Sequence, residues 1–120
     1  MLISGQHTLA NTETPPLAAF RDEPFFVIAP VEGGDNPMEG LTIEVCKSAG
    51  FDPIIERVPS SAAVLMQLQG GMGAQITCAW TGACTMPTYR VIKLDHTLNI
   101  SAAWMPNGKN PAKHLFVDEL

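Results

Sequence analysis

The sequence predicts an α/β domain in which a parallel sheet is covered by helices. The first observation is the order of its apolar segments, which alternate as β-α-β-α-β over residues 25–78. The second is residues 25–29, Phe-Phe-Val-Ile-Ala, a continuous apolar run of the kind found in strands buried on both faces. The third is that both intervening helices carry start and stop signals.

The first helix is predicted over residues 37–49. Asn36 is suited to cap it, Pro37 suits the first helical position, and Glu39 is predicted to complete a capping box. Gly50 is predicted to end the helix, because glycine adopts the left-handed conformation that helix C-termini often need.

The second helix is predicted over residues 61–69, between strands at 54–58 and 74–78, with Ser60 or Ser61 near its start. The glycine-rich residues 70–73 follow this helix. A nucleotide-binding loop would instead follow a strand and open a helix, so these glycines are interpreted as a helix stop and a tight turn.

The flanking segments carry weaker patterns. Residues 1–20 are predicted to be a short apolar start followed by a loop, and residues 22–23 a solvated turn before the first parallel strand. Alternating patterns predict strands over 89–94, at a sheet edge, and over 98–104. Residues 111–120 are predicted to form a helix.

Composition narrows the classes of function. Twelve acidic and seven basic residues give the chain a net charge of −5, and a domain that grips nucleic acid alone needs a basic face. We therefore expect no DNA binding by this chain. No apolar run approaches the ~20 residues of a membrane span, and residues 1–4 lack the basic start of a signal peptide. A cytoplasmic protein without membrane association is expected.

The three cysteines are odd in number and form no CxxC, which argues against a disulfide framework. Cys46 is expected to be buried on the apolar side of a helix. Cys78 and Cys84 could join one of the scattered histidines at a metal, but packing is favoured, and no metal or cofactor is expected. Since no nucleophile–base pair or carboxylate dyad is evident, we do not expect an enzyme.

A family resemblance emerges from five short motifs taken in order. They are His7-x-Leu9-Ala10, Asp22-Glu23-Pro24-Phe25-Phe26, Ala49-Gly50-Phe51-x-Pro53, Ser60-Ser61 and Gly70-x-Met72-Gly73-Ala74. Over about residues 6–79 their order and spacing resemble the effector-binding domain of LysR-type transcriptional regulators. That resemblance implies the type 2 periplasmic-binding-protein-like fold, in which two Rossmann-like lobes are joined by crossover strands and a small-molecule inducer binds between them.

The resemblance also implies a division of the chain. Residues 18–96 would be the second lobe, and residues 1–17 and 97–120 would be remnants of the crossover and the first lobe, without the winged helix-turn-helix that binds DNA. The implied function is small-molecule effector sensing for a bacterial regulator, with an organic anion as one suitable effector. Apolar surface left without its first-lobe partner favours a homo-oligomer. Gln75, Thr77 and Cys78-Ala79 depart from the apolar strand and Leu-Pro ending common in the family.

The effector-binding residues are expected to follow the C-terminal ends of the three parallel strands, where ligands bind in such sheets. They are Val31, Gly33, Gly34, Ser60, Ser61, Ala62, Ala79 and Trp80. The serines would offer hydroxyls and a helix N-terminus to an anion, although simple capping is the favoured reading of them from the residues alone. Glu32 and Asp35 place negative charge on the same rim. Trp80 and Trp104 are otherwise expected to serve in packing.

Two alternatives remain open. A solute-binding protein of the periplasmic type shares the two-lobe design, but the missing signal peptide and the unpaired cysteines disfavour it. A small cysteine-dependent enzyme with Cys78 or Cys84 as nucleophile would need a histidine that the fold brings close to the thiol.

Overall fold

The computed structural model of the chain describes residues 1–32, 34–99, 101, 103, 111, 112 and 115. Its strands are β1 Leu2–Ser4, β2 Pro24–Ile28, β3 Ile54–Val58 and β4 Tyr89–Val91; its helices are α1 Pro37–Ser48 and α2 Ser61–Leu68, with short 3-10 helices at Leu17–Phe20 and Gly82–Thr85. The chain is an α/β domain, which confirms the predicted class. The strand predicted over 98–104 and the helix predicted over 111–120 fall mainly outside the described residues.

The parallel pairing predicted for the first two strands is confirmed, because β2 and β3 pair in parallel from Pro24–Ile54 to Ile28–Val58. The third predicted strand is much shorter than the expected 74–78. Only Ala74 and Gln75 form bridges, the first parallel to β2 and the second antiparallel to β1. Residues 76–78 form no strand pairing, and a turn follows in which the Thr81 N–H donates to the Cys78 carbonyl at 3.1 Å.

Residues 74–75 connect the two short sheets. The Phe26 N–H donates to the Ala74 carbonyl at 2.9 Å, and the Leu2 N–H donates to the Gln75 carbonyl at 2.8 Å. The neighbour order is therefore β3, β2, residues 74–75, β1 and β4, with β1 antiparallel to both of its neighbours. The prediction of a short apolar start and a loop at residues 1–20 named no strand there and so missed β1, whose partners are all more than 70 residues away in sequence.

The two helices cover opposite faces of this layer. Phe25 and Phe26 are consecutive in β2 and so point to opposite sides. Phe25 belongs to one core with Val45 and Cys46 of α1. Phe26 belongs to a second core with apolar residues of α2, among them Val64 and Leu68. A helix–sheet–helix arrangement follows, with each core closed by one amphipathic helix.

The helix ends behave largely as their residues predict. The Asn36 side chain accepts from the N–H groups of Met38 at 3.0 Å and Glu39 at 3.3 Å. The predicted capping box is wrong, because the Glu39 carboxylate instead accepts from Arg57 Nε at 2.9 Å, across to β3. Gly50 ends α1 with a φ of +92°. Similarly, Gly71 follows the end of α2 with a φ of +83°, and Gly73 in the turn after it has a φ of +82°.

A partly buried polar cluster, which we name the anchor, joins His7, Glu23 and Gly73. His7 is 3% exposed, and its Nδ1 accepts from the Leu9 N–H at 3.0 Å, so its Nε2 carries the proton in the neutral ring. That Nε2 lies 2.6 Å from Glu23 Oε2, which also accepts from the Gly73 N–H at 2.7 Å. The prediction of a solvated turn is therefore wrong for Glu23, although Asp22 is exposed.

In the part of the chain that the structure describes, no helix has the length and apolar character needed to cross a membrane.

Candidate functional site

A cavity of about 510 Å³ opens where the parallel strands end. We name it the strand-end cavity. Its walls come from the last residues of β2, the first turns of both helices and the segment after Gln75. Crevices beyond the carboxyl ends of parallel strands are the usual ligand sites in α/β sheets, and volumes of roughly 300–1,000 Å³ suit small molecules. The cavity is therefore the candidate effector site.

The polar groups of the strand-end cavity are uncharged. Its described lining residues include no Asp, Glu, Lys or Arg. Ser61 and Gln75 line it, together with Thr77 and Thr81, whose hydroxyls lie 2.9 Å apart. The Asn36 side chain completes the set and donates to the Ile28 carbonyl. Such a lining suits a mainly apolar ligand that carries one or two hydrogen-bonding groups.

The two helix N-termini at this cavity differ in what they can offer a ligand. In α1 the Asn36 side chain occupies the first N–H groups, and Pro37 has none to give. In α2 the Ser60 hydroxyl accepts from the Ala63 N–H at 3.2 Å. The N–H groups of Ser61 and Ala62 have no partner among the described residues, as expected for the first turn of a helix. Only α2 therefore has donors to spare.

The structure separates the eight residues predicted for the site. Ser61 and Trp80 line the strand-end cavity, whereas Ala79 lines a second cavity. Ser60 acts as the cap of α2. Gly33 lies outside the described residues. The others border neither cavity; they are Val31, Gly34 and Ala62, of which Val31 is 87% exposed.

Trp80 is 67% exposed and lines both cavities, so its predicted role in packing is wrong. Sequence reasoning also missed Asn36, Gln75, Thr77 and Thr81 as lining residues. Gln75 and Thr77 did carry a signal, because polar side chains are out of place in a strand expected to be buried.

The second cavity, of about 470 Å³, lies on the α1 side of residues 76–80 and is mostly apolar. We name it the α1-side cavity. Cys78, Cys84 and His96 all line it, which brings together the residues of the cysteine-enzyme alternative. The polar contacts of His96 and Cys84 are made with other groups: His96 Nε2 lies 4.0 Å from Glu44 Oε1, and the Cys84 thiol contacts the Cys78 carbonyl at 3.7 Å.

We next consider metal binding and the third cysteine among the described residues. No group of three or more His, Cys, Asp or Glu side chains in this part of the chain is placed to hold a metal ion. The Cys46 thiol is buried, as predicted, and its desolvation raises its pKa to about 11. A thiol of that kind is a poor nucleophile at neutral pH.

No protein-family model matches the sequence, and no curated protein matches it either.

Proposed function

We propose that the chain is the small-molecule effector-binding domain, mainly the second lobe, of a bacterial regulator of the LysR type. In this proposal it has the type 2 periplasmic-binding-protein-like fold, and its effector binds in the strand-end cavity. The observation that carries the proposal is the position of this cavity at the carboxyl ends of β2 and residues 74–75, beside the uncapped N–H groups of α2.

The anchor supports the proposed family. Three of the five family-like motifs supply one residue each to it, namely His7, Glu23 and Gly73. These residues are 16 and 50 positions apart in sequence, yet they meet at one carboxylate. The anchor also precedes residues 74–75, which lie between β2 and β1 where the cavity wall begins.

The cavity chemistry narrows the effector class. The backbone N–H and the hydroxyl of Ser61 suit one carboxylate or one carbonyl oxygen, while Phe26, Ile28 and Leu65 provide apolar contact. No lysine or arginine lines the described cavity wall, so a second negative charge on the ligand would remain unpaired. The effector in this proposal is therefore a small, mainly apolar monocarboxylic acid or its amide.

A ligand screen tests this proposal. We would titrate the chain with a panel of small apolar monocarboxylic acids, matched dicarboxylic acids and amides, and follow backbone amide shifts by NMR. Shifts should cluster at Ser61, Gln75, Thr77 and the Trp80 indole. Ser61→Ala should weaken binding about fivefold, because one net hydrogen bond contributes about 1 kcal/mol.

Ser48→Ala is the matched control, since this serine lies at the far end of α1 and donates to the Val45 carbonyl at 2.7 Å. Its affinity for the same ligand should equal that of the unmodified chain. Shifts that spare Ser61 and Trp80, or shifts confined to the α1-side cavity, would show that the site lies elsewhere. Unchanged affinity in Ser61→Ala would show that the hydroxyl of this serine, which the variant removes while it keeps the backbone N–H, does not bind the ligand.

The proposal also covers DNA binding, cellular location and self-association. The full regulator would bind DNA in the cytoplasm, while this chain alone would not, given its net charge of −5. Self-association is part of the same proposal: β3 has only β2 as a described neighbour, and Ile54 on it is 51% exposed. Light scattering at rising concentration should show a dimer; a strictly constant monomer mass would remove this part of the proposal.

A further inference from the structure

Cys78 and Cys84 lie at the two ends of a short folded segment in the wall between the cavities. Within it, the Thr81 N–H donates to the Cys78 carbonyl at 3.1 Å, and the Cys84 N–H donates to the Thr81 carbonyl at 2.9 Å. These two bonds turn the segment back on itself. As a result, the Cys84 thiol donates to the Cys78 carbonyl oxygen at 3.7 Å.

That contact keeps the two cysteines close enough for a disulfide to form after a local rearrangement. A carbonyl oxygen lies about 2.4 Å and a cysteine Sγ about 2.8 Å from its own Cα, so the 3.7 Å contact limits the separation of the two Cα atoms to roughly 9 Å at most. Disulfides join residues whose Cα atoms are usually about 4.4–6.8 Å apart. Bond formation therefore requires rotation of both side chains together with an adjustment of residues 79–83.

The surroundings separate this pair from the third cysteine. Cys78 and Cys84 are both partly exposed, and both line the α1-side cavity. Cys46 is fully buried in the core under α1. A small oxidant can therefore reach the pair without unfolding the chain, whereas it cannot reach Cys46 in that way.

We propose that Cys78 and Cys84 form a redox modification site, at which hydrogen peroxide converts the two thiols to an intramolecular disulfide. In the first step one thiolate attacks a peroxide oxygen, the O–O bond breaks, and a sulfenic acid and one water form. In the second step the other thiolate attacks the sulfenic sulfur and displaces a second water as the S–S bond forms. The sulfur atoms lose two electrons in total, and the peroxide gains them.

The disulfide would fix part of the effector site. Cys78 and residues 80–83 line the strand-end cavity, so a bond between positions 78 and 84 would hold that wall in one conformation. This consequence for ligand binding rests on the proposed function, whereas formation of the bond does not.

Intact-mass analysis of the folded chain treated with hydrogen peroxide tests the site. We expect a mass lower by two hydrogens, one remaining free thiol, a peptide cross-link between positions 78 and 84, and full reversal by dithiothreitol. Cys46→Ala is the matched control and should give the same cross-link. Cys78→Ser and Cys84→Ser should each abolish it, and circular dichroism would verify that both variants are folded.

Three outcomes would overturn the proposal: three free thiols after treatment, added oxygen without a cross-link, or disulfides that join two chains. The mass readout needs no ligand, so its result is independent of the screen that tests the proposed function.

Discussion

The stretch from residue 73 to residue 80 changes its character halfway along. Residues 73–75 are held from three sides: Gly73 by the Glu23 carboxylate, Ala74 by β2 and Gln75 by β1. Residues 77–80 leave the sheet, and their first side-chain contact is the local hydroxyl pair of Thr77 and Thr81. Trp80 ends the stretch with most of its surface exposed.

The two parts of the stretch differ in how firmly their backbone is held. Segments with few buried contacts and locally bonded backbone open at low free-energy cost, and ligand-binding segments are drawn from them. The anchored half fixes where the chain leaves the sheet. Residues 77–80 then form part of the wall shared by both cavities. They can adjust to a ligand there without disturbing either core.

The largest expected difference is between the labelling rates of Cys46 in the core and Cys84 in the wall between the cavities. Burial raises the pKa of Cys46 to about 11, so only about a thousandth of it is thiolate at pH 8. We expect Cys46 to react with a thiol-labelling reagent at least about a hundredfold more slowly than Cys84. Its rate should rise about tenfold per pH unit up to its pKa. Rapid labelling of all three thiols at pH 8 would contradict this contrast.

Gly73→Ala should destabilise the anchored half most strongly. A Cβ at this position would lie 2.6 Å from Phe26 Cε2 and 2.8 Å from the Pro24 carbonyl oxygen, at a φ of +82°. Close contact and left-handed backbone together should cost about 3 kcal/mol in the free energy of unfolding. Urea denaturation measures it.

The control for that variant is Gly82→Ala in the wall, where an added Cβ meets nothing within 4 Å. It should change stability by less than about 0.5 kcal/mol. Equal losses in the two variants would remove the distinction between the halves.

Glu23→Gln tests the anchor itself. The neutral amide loses the charge that strengthens the bonds from His7 Nε2 and the Gly73 N–H. We expect a loss of about 2 kcal/mol in the free energy of unfolding, together with a large shift of the Gly73 amide resonance. Asp22→Asn, one residue earlier and exposed, should leave both readouts unchanged.

Thr77→Val should have the smallest effect on stability. It removes the hydroxyl pair with Thr81 but leaves the shape of the side chain. Because the site is partly exposed, water can replace the lost bond, and we expect less than about 1 kcal/mol. A loss as large as that of Glu23→Gln would mean that the wall is as firmly held as the anchor.

The sequence predicted the elements whose signals are local. β2, β3, α1 and α2 carry their own apolar runs, caps and glycine stops, so their positions were predicted to within one or two residues. The contacts that were missed or wrong depend on distant partners. Glu23 meets a backbone group 50 residues away, and Glu39 pairs with Arg57 on a neighbouring strand.

The sequence predicted where in the fold the candidate cavity lies better than it predicted which residues line it. The rule for parallel strands located the cavity, and Ser61 and Trp80 line it. The loop around Val31 does not, because Asn36 caps α1 close to the end of β2 and takes the position at the cavity. Which polar residues line the wall depends on where the third strand stops, and the sequence predicted this strand to continue to residue 78.

Hydrogen exchange at single residues tests the division of this stretch most directly. We predict that the amides of Ala74 and Gln75 exchange slowly, within about a factor of ten of the slowest core amides, while the amides of residues 77–80 exchange at least about a hundredfold faster. An effector found in the screen should slow exchange at residues 77–81 and leave Ala74 unchanged. Uniform protection from 73 to 80, or ligand protection confined to residues 91–98, would contradict the account.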